Sequence, residues 1–159
     1  MEKASVGLEV NGTTCEVQAT LYDTLLTVLR DQLLFTSAKR GCNQGVCGAC
    51  TVLADGVPVR ACLSLALDCE GRRIETVEGL SADPRMQALQ HSFIGRGAFQ
   101  CAFCTPGMLI SAYALLGSDR PVTEADVRKS LSGNLCRCTG YKKIVEAVLE
   151  AAGDRRSGR

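Results

Sequence analysis

The chain has 159 residues, enough for one ordinary domain or two small ones, and its 18 Lys and Arg nearly balance its 17 Asp and Glu. This balance gives no electrostatic reason to expect nucleic acid or an anionic membrane as a partner. Ten cysteines are the informative feature of the composition. In a chain of this size they admit three interpretations: disulfides, structural zinc or a sulfur-ligated redox metal.

The start of the chain bears on the choice between these interpretations. It contains no apolar signal-peptide stretch and no twin-arginine pair, and no apolar run approaches the roughly 18 residues that a membrane span needs. We therefore expect a cytoplasmic protein. Structural disulfides are rare in that reducing compartment, so metal ligation is favoured over disulfides.

The first half of the chain predicts a small mixed sheet with one helix. Apolar residues alternate along two segments joined by the turn signal Asn11-Gly12, and Asp55-Gly56 indicates a second hairpin. Between the hairpins, Asp23 is the predicted cap of a short helix that carries leucines on one face. A glycine-rich loop over residues 39–50 follows, and the last predicted strand covers residues 74–77.

The second half predicts four helices. Asp83-Pro84 and Thr105-Pro106 are helix start signals, and Thr123 to Asp126 has the spacing of a capping box. A final helix is predicted over residues 141–152, ending at Gly153. The predicted fold is α+β, with domains at residues 1–79 and 80–153 and a basic flexible tail at residues 154–159.

The first group of cysteines has the C-x4-C-x2-C…C spacing of plant-type [2Fe–2S] proteins. Its members are Cys42, Cys47, Cys50 and, further along, Cys62. Three ligands from one loop must wrap a compact cluster, and Gly41, Gly45 and Gly48 suit the tight backbone that such a loop requires. A zinc site more often uses two C-x-x-C pairs.

The second group of cysteines is ambiguous on spacing alone. Its members are Cys101, Cys104, Cys136 and Cys138, and pairs of this kind also bind zinc tetrahedrally. A Rieske centre is excluded because it needs two histidines, whereas the chain has only His91, which is predicted to lie on the surface. Each pair immediately precedes a predicted helix, whose unpaired N–H groups favour an anionic cluster, so two helix ends could form one cradle.

Three segments of the sequence resemble the molybdenum hydroxylase family of xanthine dehydrogenase, aldehyde oxidoreductase and carbon monoxide dehydrogenase. They are GCNQGVCGACT from Gly41, QCAFCTPGM from Gln100 and GNLCRCTGY from Gly133. The resemblance extends over residues 6–152, and a chain of this length looks like the small iron–sulfur subunit of the bacterial multi-subunit members.

This resemblance implies a ferredoxin-like β-grasp domain with a plant-type [2Fe–2S] cluster, followed by a four-helix domain with a second [2Fe–2S] cluster. It implies a separate large subunit with the molybdenum cofactor, whose pterin contacts Gln100 and Cys138, and a medium subunit with FAD. The complex would be a dimer of heterotrimers. Electrons would pass from molybdenum through the second cluster and the plant-type cluster to FAD.

Three further residues, Ala102, Cys69 and Cys15, bear on the assignment of the cluster sites. Ala102 stands where the family usually has Gly, which adds a methyl group near a cluster sulfur. Cys69 competes with Cys62 as fourth ligand on spacing, and the resemblance alone selects Cys62. Cys15 shares an apolar strand face with neighbours that are predicted to be buried and is interpreted as a structural thiol.

Two alternatives to an electron-transfer subunit remain open at this point. One is a free-standing two-cluster ferredoxin, and the other is a zinc-stabilised interaction module. The sequence names no substrate for a complex of this kind.

Overall fold

The computed structural model describes residues 2–118 and 120–157, and it is an α+β structure built on one five-stranded mixed sheet. The strands are β1 (Ala4–Val10), β2 (Thr13–Ala19), β3 (Thr51–Ala54), β4 (Val57–Arg60) and β5 (Arg73–Glu75). The helices are α1 (Leu25–Thr27), α2 (Val77–Leu80), α3 (Pro84–Gly95), α4 (Thr105–Leu116), α5 (Glu124–Leu131) and α6 (Lys142–Ser157). None of the helices within the described residues is long and apolar enough to cross a membrane.

The sheet has the strand order β2-β1-β5-β3-β4 and confirms both predicted hairpins. The β1–β2 and β3–β4 pairs are antiparallel, whereas β1 and β5 are parallel. Asn11 and Gly12 have φ values of 52° and 78°, and Asp55 and Gly56 have 52° and 79°. Two successive positive φ angles define the turn type whose twist matches the flanking strands, which is why Asn-Gly and Asp-Gly predict it.

The predicted helix after β2 is present, but its cap is Thr24 rather than Asp23. The Thr24 side chain accepts a hydrogen bond from the Thr27 N–H, while the Asp23 carboxylate accepts one from the Thr20 N–H at 2.7 Å. Asp23 therefore closes the preceding turn. The helix continues from α1 into one π-helical turn over Val28–Gln32. Of the leucines predicted on its apolar face, Leu25, Leu26 and Leu29 are buried in the core beside the sheet and Leu33 is half-buried.

The end of the sheet differs from the prediction. The strand predicted over residues 74–77 is β5, which ends at Glu75, and Val77 begins α2. The Asn11 side chain explains this change of direction. Its Oδ1 accepts a hydrogen bond from the Thr76 N–H at 2.9 Å, so the strand is not continued by backbone pairing at this residue.

The four predicted helices α3 to α6 are present. The start signals of α3 and α5 act as expected, whereas the cap residue of α4 is Cys104 rather than Thr105. Asp83 caps α3 by accepting from the Arg85 N–H, and Thr123 and Asp126 form a reciprocal capping box at α5. The prediction for the end of α6 was wrong. Its backbone remains helical through Gly153 to Ser157, so the flexible tail predicted for residues 154–159 is helical to 157, and the last two residues lie outside the described part.

The capping box of α5 gives the first testable prediction. The Thr123 Oγ accepts a hydrogen bond from the Asp126 N–H, so Thr123→Ala should lower the free energy of unfolding by about 1 kcal/mol. Thr123→Ser retains the hydroxyl and should restore most of the loss. Denaturant titration of both variants measures the difference, and equal stability of Thr123→Ala and the parent protein would contradict this role.

Two groups of buried apolar residues stabilise the structure, and β3 takes part in both. Val52 and Ala54 belong to the group between the sheet and α1, whereas Leu53 points to the opposite face and belongs to the group formed by α3 to α6. Because successive strand residues point to opposite faces, a strand that is buried on both faces has a continuous apolar sequence. The contact between the sheet and the helices therefore runs through β3.

Candidate metal centres

The first cysteine group forms a pocket of thiols in the loop before β3, as its spacing predicts. Backbone N–H groups point at the sulfurs: Gln44 and Cys47 donate to the Cys42 Sγ at 3.4 and 3.3 Å. The Gly45 N–H donates to the Cys62 Sγ at 3.3 Å, which connects the loop with the more distant cysteine. Such N–H donors stabilise an anionic thiolate-ligated cluster.

Glycine is required at Gly48 in this loop because another part of the backbone approaches it. Gly48 has φ +70°, and a Cβ atom there would lie 2.3 Å from the Gly133 carbonyl oxygen. A Cβ atom at Gly107 of α4 would lie 2.3 Å from the Gly48 carbonyl oxygen. The loop is thus pressed between two segments of the helical half, so the sequence prediction of a tight, glycine-dependent loop agrees with the geometry.

The second cysteine group lies where the segments before α4 and α6 meet. The Sγ atoms of Cys101 and Cys138 are 3.5 Å apart, and burial, followed by the Cys136 side chain, raises the pKa of Cys104. Cys104 is the cap residue of α4, so this pair of thiols adjoins the helix N-terminus. Of the two predicted helix ends, only the start of α4 directly adjoins a cysteine, because residues 139–141 separate Cys138 from Lys142, where α6 begins.

In both groups the thiols influence one another in pairs. The Sγ atoms of Cys101 and Cys138 are 3.5 Å apart, and the cysteine side chains that act most directly on the pKa of Cys42, Cys50 and Cys104 are those of Cys47, Cys62 and Cys136, respectively. Among residues 2–118 and 120–157, no three His, Cys, Asp or Glu side chains converge closely enough for a single metal ion. Zinc needs four ligands at one ion, whereas a [2Fe–2S] cluster divides four cysteines between two irons. The pairing therefore fits a two-iron cluster at each group.

Within each group, the thiols differ in pKa. Backbone N–H donors, first that of Cys47, lower the pKa of Cys42 to about 6, and the Phe103 N–H lowers the pKa of Cys101. Burial raises the pKa of Cys50 to about 11 and that of Cys104 to about 12. Because cluster ligands are thiolates, cluster binding must release protons from the buried members, and acid should weaken it.

The remaining cysteines lie apart from both groups. Cys69 is buried in the core beside the sheet, where burial raises its pKa, and the charged neighbours that act on its thiol are Arg72, Asp68 and Asp55 rather than another cysteine. The geometry therefore favours Cys62 as the fourth member of the first group. Cys15 is half-buried, less than expected, although it packs against the same core.

Two further predicted positions can be located. His91 is exposed, as predicted. Ala102 has φ +60°, a conformation that glycine adopts at lower cost, and the N–H of the next residue, Phe103, lowers the pKa of Cys101.

Gln100 and Cys138, the residues of the predicted pterin contact, lie together on the surface. The Gln100 Nε2 donates a hydrogen bond to the Cys138 carbonyl oxygen at 2.9 Å, and both residues are exposed. Phe99, Phe103 and Leu135 are exposed apolar side chains of the same segments. The second group of thiols is therefore open to the surface on the side of Cys101 and Cys138.

Sequence reasoning missed the residues that support the second group from behind. The Thr139 hydroxyl donates to the Cys136 Sγ at 3.1 Å, and the Tyr141 hydroxyl accepts from the Cys136 N–H at 2.8 Å. Asn134 is 2% exposed, and its side-chain amide is hydrogen-bonded at both the oxygen and the nitrogen. All three lie in or next to the motif around Cys136, but hydroxyl and amide contacts of this kind leave no periodic pattern in a sequence.

A strand-rich half and a helical half, each with two pairs of thiols supported by backbone N–H groups, define a protein that binds two iron–sulfur clusters. Comparison with known families agrees with this class. A family described as "2Fe-2S iron-sulfur cluster binding domain" matches residues 8–90, and one described as "[2Fe-2S] binding domain" matches residues 76–149.

Individual relatives are similar over nearly the whole chain. The nicotine 6-hydroxylase small subunit of Paenarthrobacter nicotinovorans is 49% identical, over 96% of this chain and 92% of the relative. The xanthine dehydrogenase iron–sulfur-binding subunit of Escherichia coli O157:H7 is 42% identical, over 94% of both chains. In the structure of quinoline 2-oxidoreductase from Pseudomonas putida 86, a chain that is 42% identical superposes with a TM-score of 0.91, covering 99% of each chain.

The chain belongs to the small [2Fe–2S] subunits of molybdenum hydroxylases of the xanthine dehydrogenase and aldehyde oxidoreductase type. It is an electron-transfer iron–sulfur subunit of an oxidoreductase complex. The family that the three sequence motifs predict is therefore confirmed.

Proposed function

We propose that this chain relays electrons from a molybdenum cofactor on a large partner subunit to FAD on a medium partner subunit, in a cytoplasmic dimer of heterotrimers. When bound, each [2Fe–2S] cluster accepts and releases one electron at a time. Cys42, Cys47, Cys50 and Cys62 would hold the plant-type cluster in a β-grasp domain over residues 1–79. Cys101, Cys104, Cys136 and Cys138 would hold the second in a four-helix domain over residues 80–153.

The pairing of eight thiols into four pairs carries this proposal. Each group provides two thiols for each of two irons, and donors from the backbone and from Thr139 point at its sulfurs. The exposed edge of the second group at Gln100 and Cys138 supports a contact there with the pterin of the large subunit.

Co-purification tests the subunit proposal. The tagged chain, expressed from its native host, should bring with it one molybdenum-containing chain and one flavin-containing chain in equal amounts. A free-standing ferredoxin would purify alone with both clusters bound, and that result would contradict the proposal. The relatives are named for enzymes of nicotine, xanthine, quinoline and aldehydes, so we propose that the large subunit, and not this chain, selects the substrate.

The hydrogen bond from Thr139 to Cys136 gives a prediction about the second cluster. Thr139→Val removes a hydroxyl donor to a ligand sulfur, and such donors stabilise the more negative, reduced state. We expect the reduction potential of the second cluster to fall and that of the plant-type cluster to stay unchanged. EPR-monitored redox titration measures both potentials. Thr139→Ser should retain the parent value, and an unchanged potential in Thr139→Val would contradict this role.

A further inference from the structure

An arginine side chain lies between the two cysteine groups. Arg60 is the last residue of β4, and its Nη1 donates a hydrogen bond to the Thr51 Oγ at 2.6 Å. Its Nη2 donates to the Gly133 carbonyl oxygen, also at 2.6 Å. Thr51 immediately follows Cys50 of the first group, and Gly133 shortly precedes Cys136 of the second group. One guanidinium therefore contacts a segment next to each group.

The charge of Arg60 is not compensated by a carboxylate. Among residues 2–118 and 120–157 Arg60 forms no ion pair, whereas Arg72, for example, pairs with Asp55 at 2.8 Å. Both acceptors of the Arg60 guanidinium are neutral, and the side chain is half-buried. A charge in this setting loses hydration without gaining a counter-charge. Joining two neutral acceptors does not by itself require a cation.

The acceptors of Arg60 belong to a buried polar cluster between the sheet and the helices. Thr51 is 2% exposed, and its hydroxyl donates in turn to the Gly48 carbonyl oxygen at 2.6 Å. Asn134 is equally buried and donates from its Nδ2 to the same carbonyl oxygen at 3.0 Å. Because these groups are buried, they screen the field of the guanidinium less than water screens a surface charge.

Glycine at residue 133 makes room for the guanidinium. A Cβ atom at Gly133 would overlap the Arg60 Nη2. The φ angle of Gly133 lies outside the left-handed region, so the backbone conformation alone would accept alanine. The lack of a side chain at this residue is therefore explained by the position of Arg60.

We infer that Arg60 raises the reduction potentials of both clusters together, by placing one uncompensated positive charge between them. The inference rests on the cluster assignments of the proposed function. On reduction each cluster gains one electron, and thus one unit of negative charge, without uptake of a proton. The electron comes from the molybdenum-containing subunit in the proposed complex and from a chemical reductant in the test. A nearby positive charge favours the more negative, reduced state.

The competing interpretation is a purely structural role, in which Arg60 only joins β4 to the segment before Cys136. The two interpretations differ in what a variant must retain. A structural link needs both hydrogen bonds in their geometry, whereas an electrostatic role needs the charge at its location. Lysine keeps the charge but cannot reproduce the planar fork of a guanidinium, so Arg60→Lys separates the two interpretations.

The experiment uses the full chain loaded with both clusters, and EPR-monitored redox titration measures both potentials. Arg60→Gln removes the charge but keeps a hydrogen-bond donor, and Gly133→Ala displaces the guanidinium without removing it. Arg85→Gln is the matched control. Arg85 is also half-buried and donates to a neutral acceptor, the Tyr113 carbonyl oxygen, which lies about 14 Å along α4 from Cys104.

Arg60→Gln should lower the potentials of both clusters. At the midpoint potential of the parent protein, the ratio of reduced to oxidised cluster should fall several-fold at each site. Arg60→Lys should stay near the parent values because the charge is retained. Gly133→Ala should lower both potentials by less than Arg60→Gln, and Arg85→Gln should change neither.

Unchanged potentials in Arg60→Gln, with both clusters bound, would overturn the inference, and so would a fall confined to one cluster. An equal fall in Arg60→Lys and Arg60→Gln would assign the effect to hydrogen-bond geometry and also overturn it. If Arg60→Gln loses a cluster, Gly133→Ala decides by the same criterion. Failure of the proposed function is distinguishable, because the unmodified chain would then bind zinc or lack iron before any variant is compared.

Discussion

Cys50→Ala is expected to remove the plant-type cluster and to leave about two irons per chain, because the second group of four thiols remains complete. Cys50 and Cys62 are buried in the core beside the sheet, whereas Cys104 and Cys136 pack against the helical core. One of two EPR signals of the reduced protein should disappear. Cys104→Ala should abolish the other signal and likewise leave about two irons per chain.

Cys69→Ala is the matched control for this experiment. Cys69 is buried as deeply as Cys50, yet within the described residues the side chains that act on its pKa are Arg72, Asp68 and Asp55 and no cysteine. The Cys69→Ala variant should keep all its iron. Its free energy of unfolding should fall by roughly 1 kcal/mol through lost packing, as for other small core truncations. Loss of all iron in Cys50→Ala would show that the clusters share one folding unit, and loss of a cluster in Cys69→Ala but not in Cys62→Ala would show that the fourth ligand is wrong.

The second large effect is expected for Gly107→Ala. A Cβ atom there would lie 2.3 Å from the Gly48 carbonyl oxygen and 3.1 Å from the Asn134 Nδ2, and a backbone oxygen cannot rotate away as a flexible side chain can. Such overpacking should destabilise the protein by about 1–3 kcal/mol. It should also disturb the EPR spectrum of the plant-type cluster, although Gly107 lies in the helical half. Thermal unfolding of the loaded protein measures the first effect.

Gly95→Ala is the control, since Gly95 is also helical and a Cβ atom there would have no neighbour within 4 Å. Restricting the unfolded chain should make this variant slightly more stable, by up to about 1 kcal/mol. Equal thermal stability of Gly107→Ala and Gly95→Ala would show that the close approach of α4 to the first cysteine loop does not require glycine at residue 107.

Local signals account for most of the fold that was predicted. The Asn11-Gly12 and Asp55-Gly56 turns, the α3 cap at Asp83 and the capping box at Thr123 depend on residues close in sequence, and each is present. The errors arose where a distant side chain intervenes. Asn11 binds the Thr76 N–H and ends β5 early, and the carboxylate of Asp23 binds Thr20, which leaves the cap to Thr24.

The cysteine groups could be predicted because the ligands of a compact cluster must be close in sequence or follow a fixed spacing. Asn134 could not be assigned a role in this way. Its partners Gly48 and Thr51 lie far away in sequence, and an amide hydrogen bond to a carbonyl oxygen requires only that the two segments meet. The contact between the two cysteine groups therefore emerged only from the three-dimensional structure.

Metal analysis of the purified chain, together with EPR of its reduced form, tests the central claim most directly. Two [2Fe–2S] clusters on eight cysteines predict about four irons and four acid-labile sulfides per chain, with two distinct EPR signals. Stoichiometric zinc without sulfide, or a single EPR signal with about two irons in the unmodified chain, would contradict the claim.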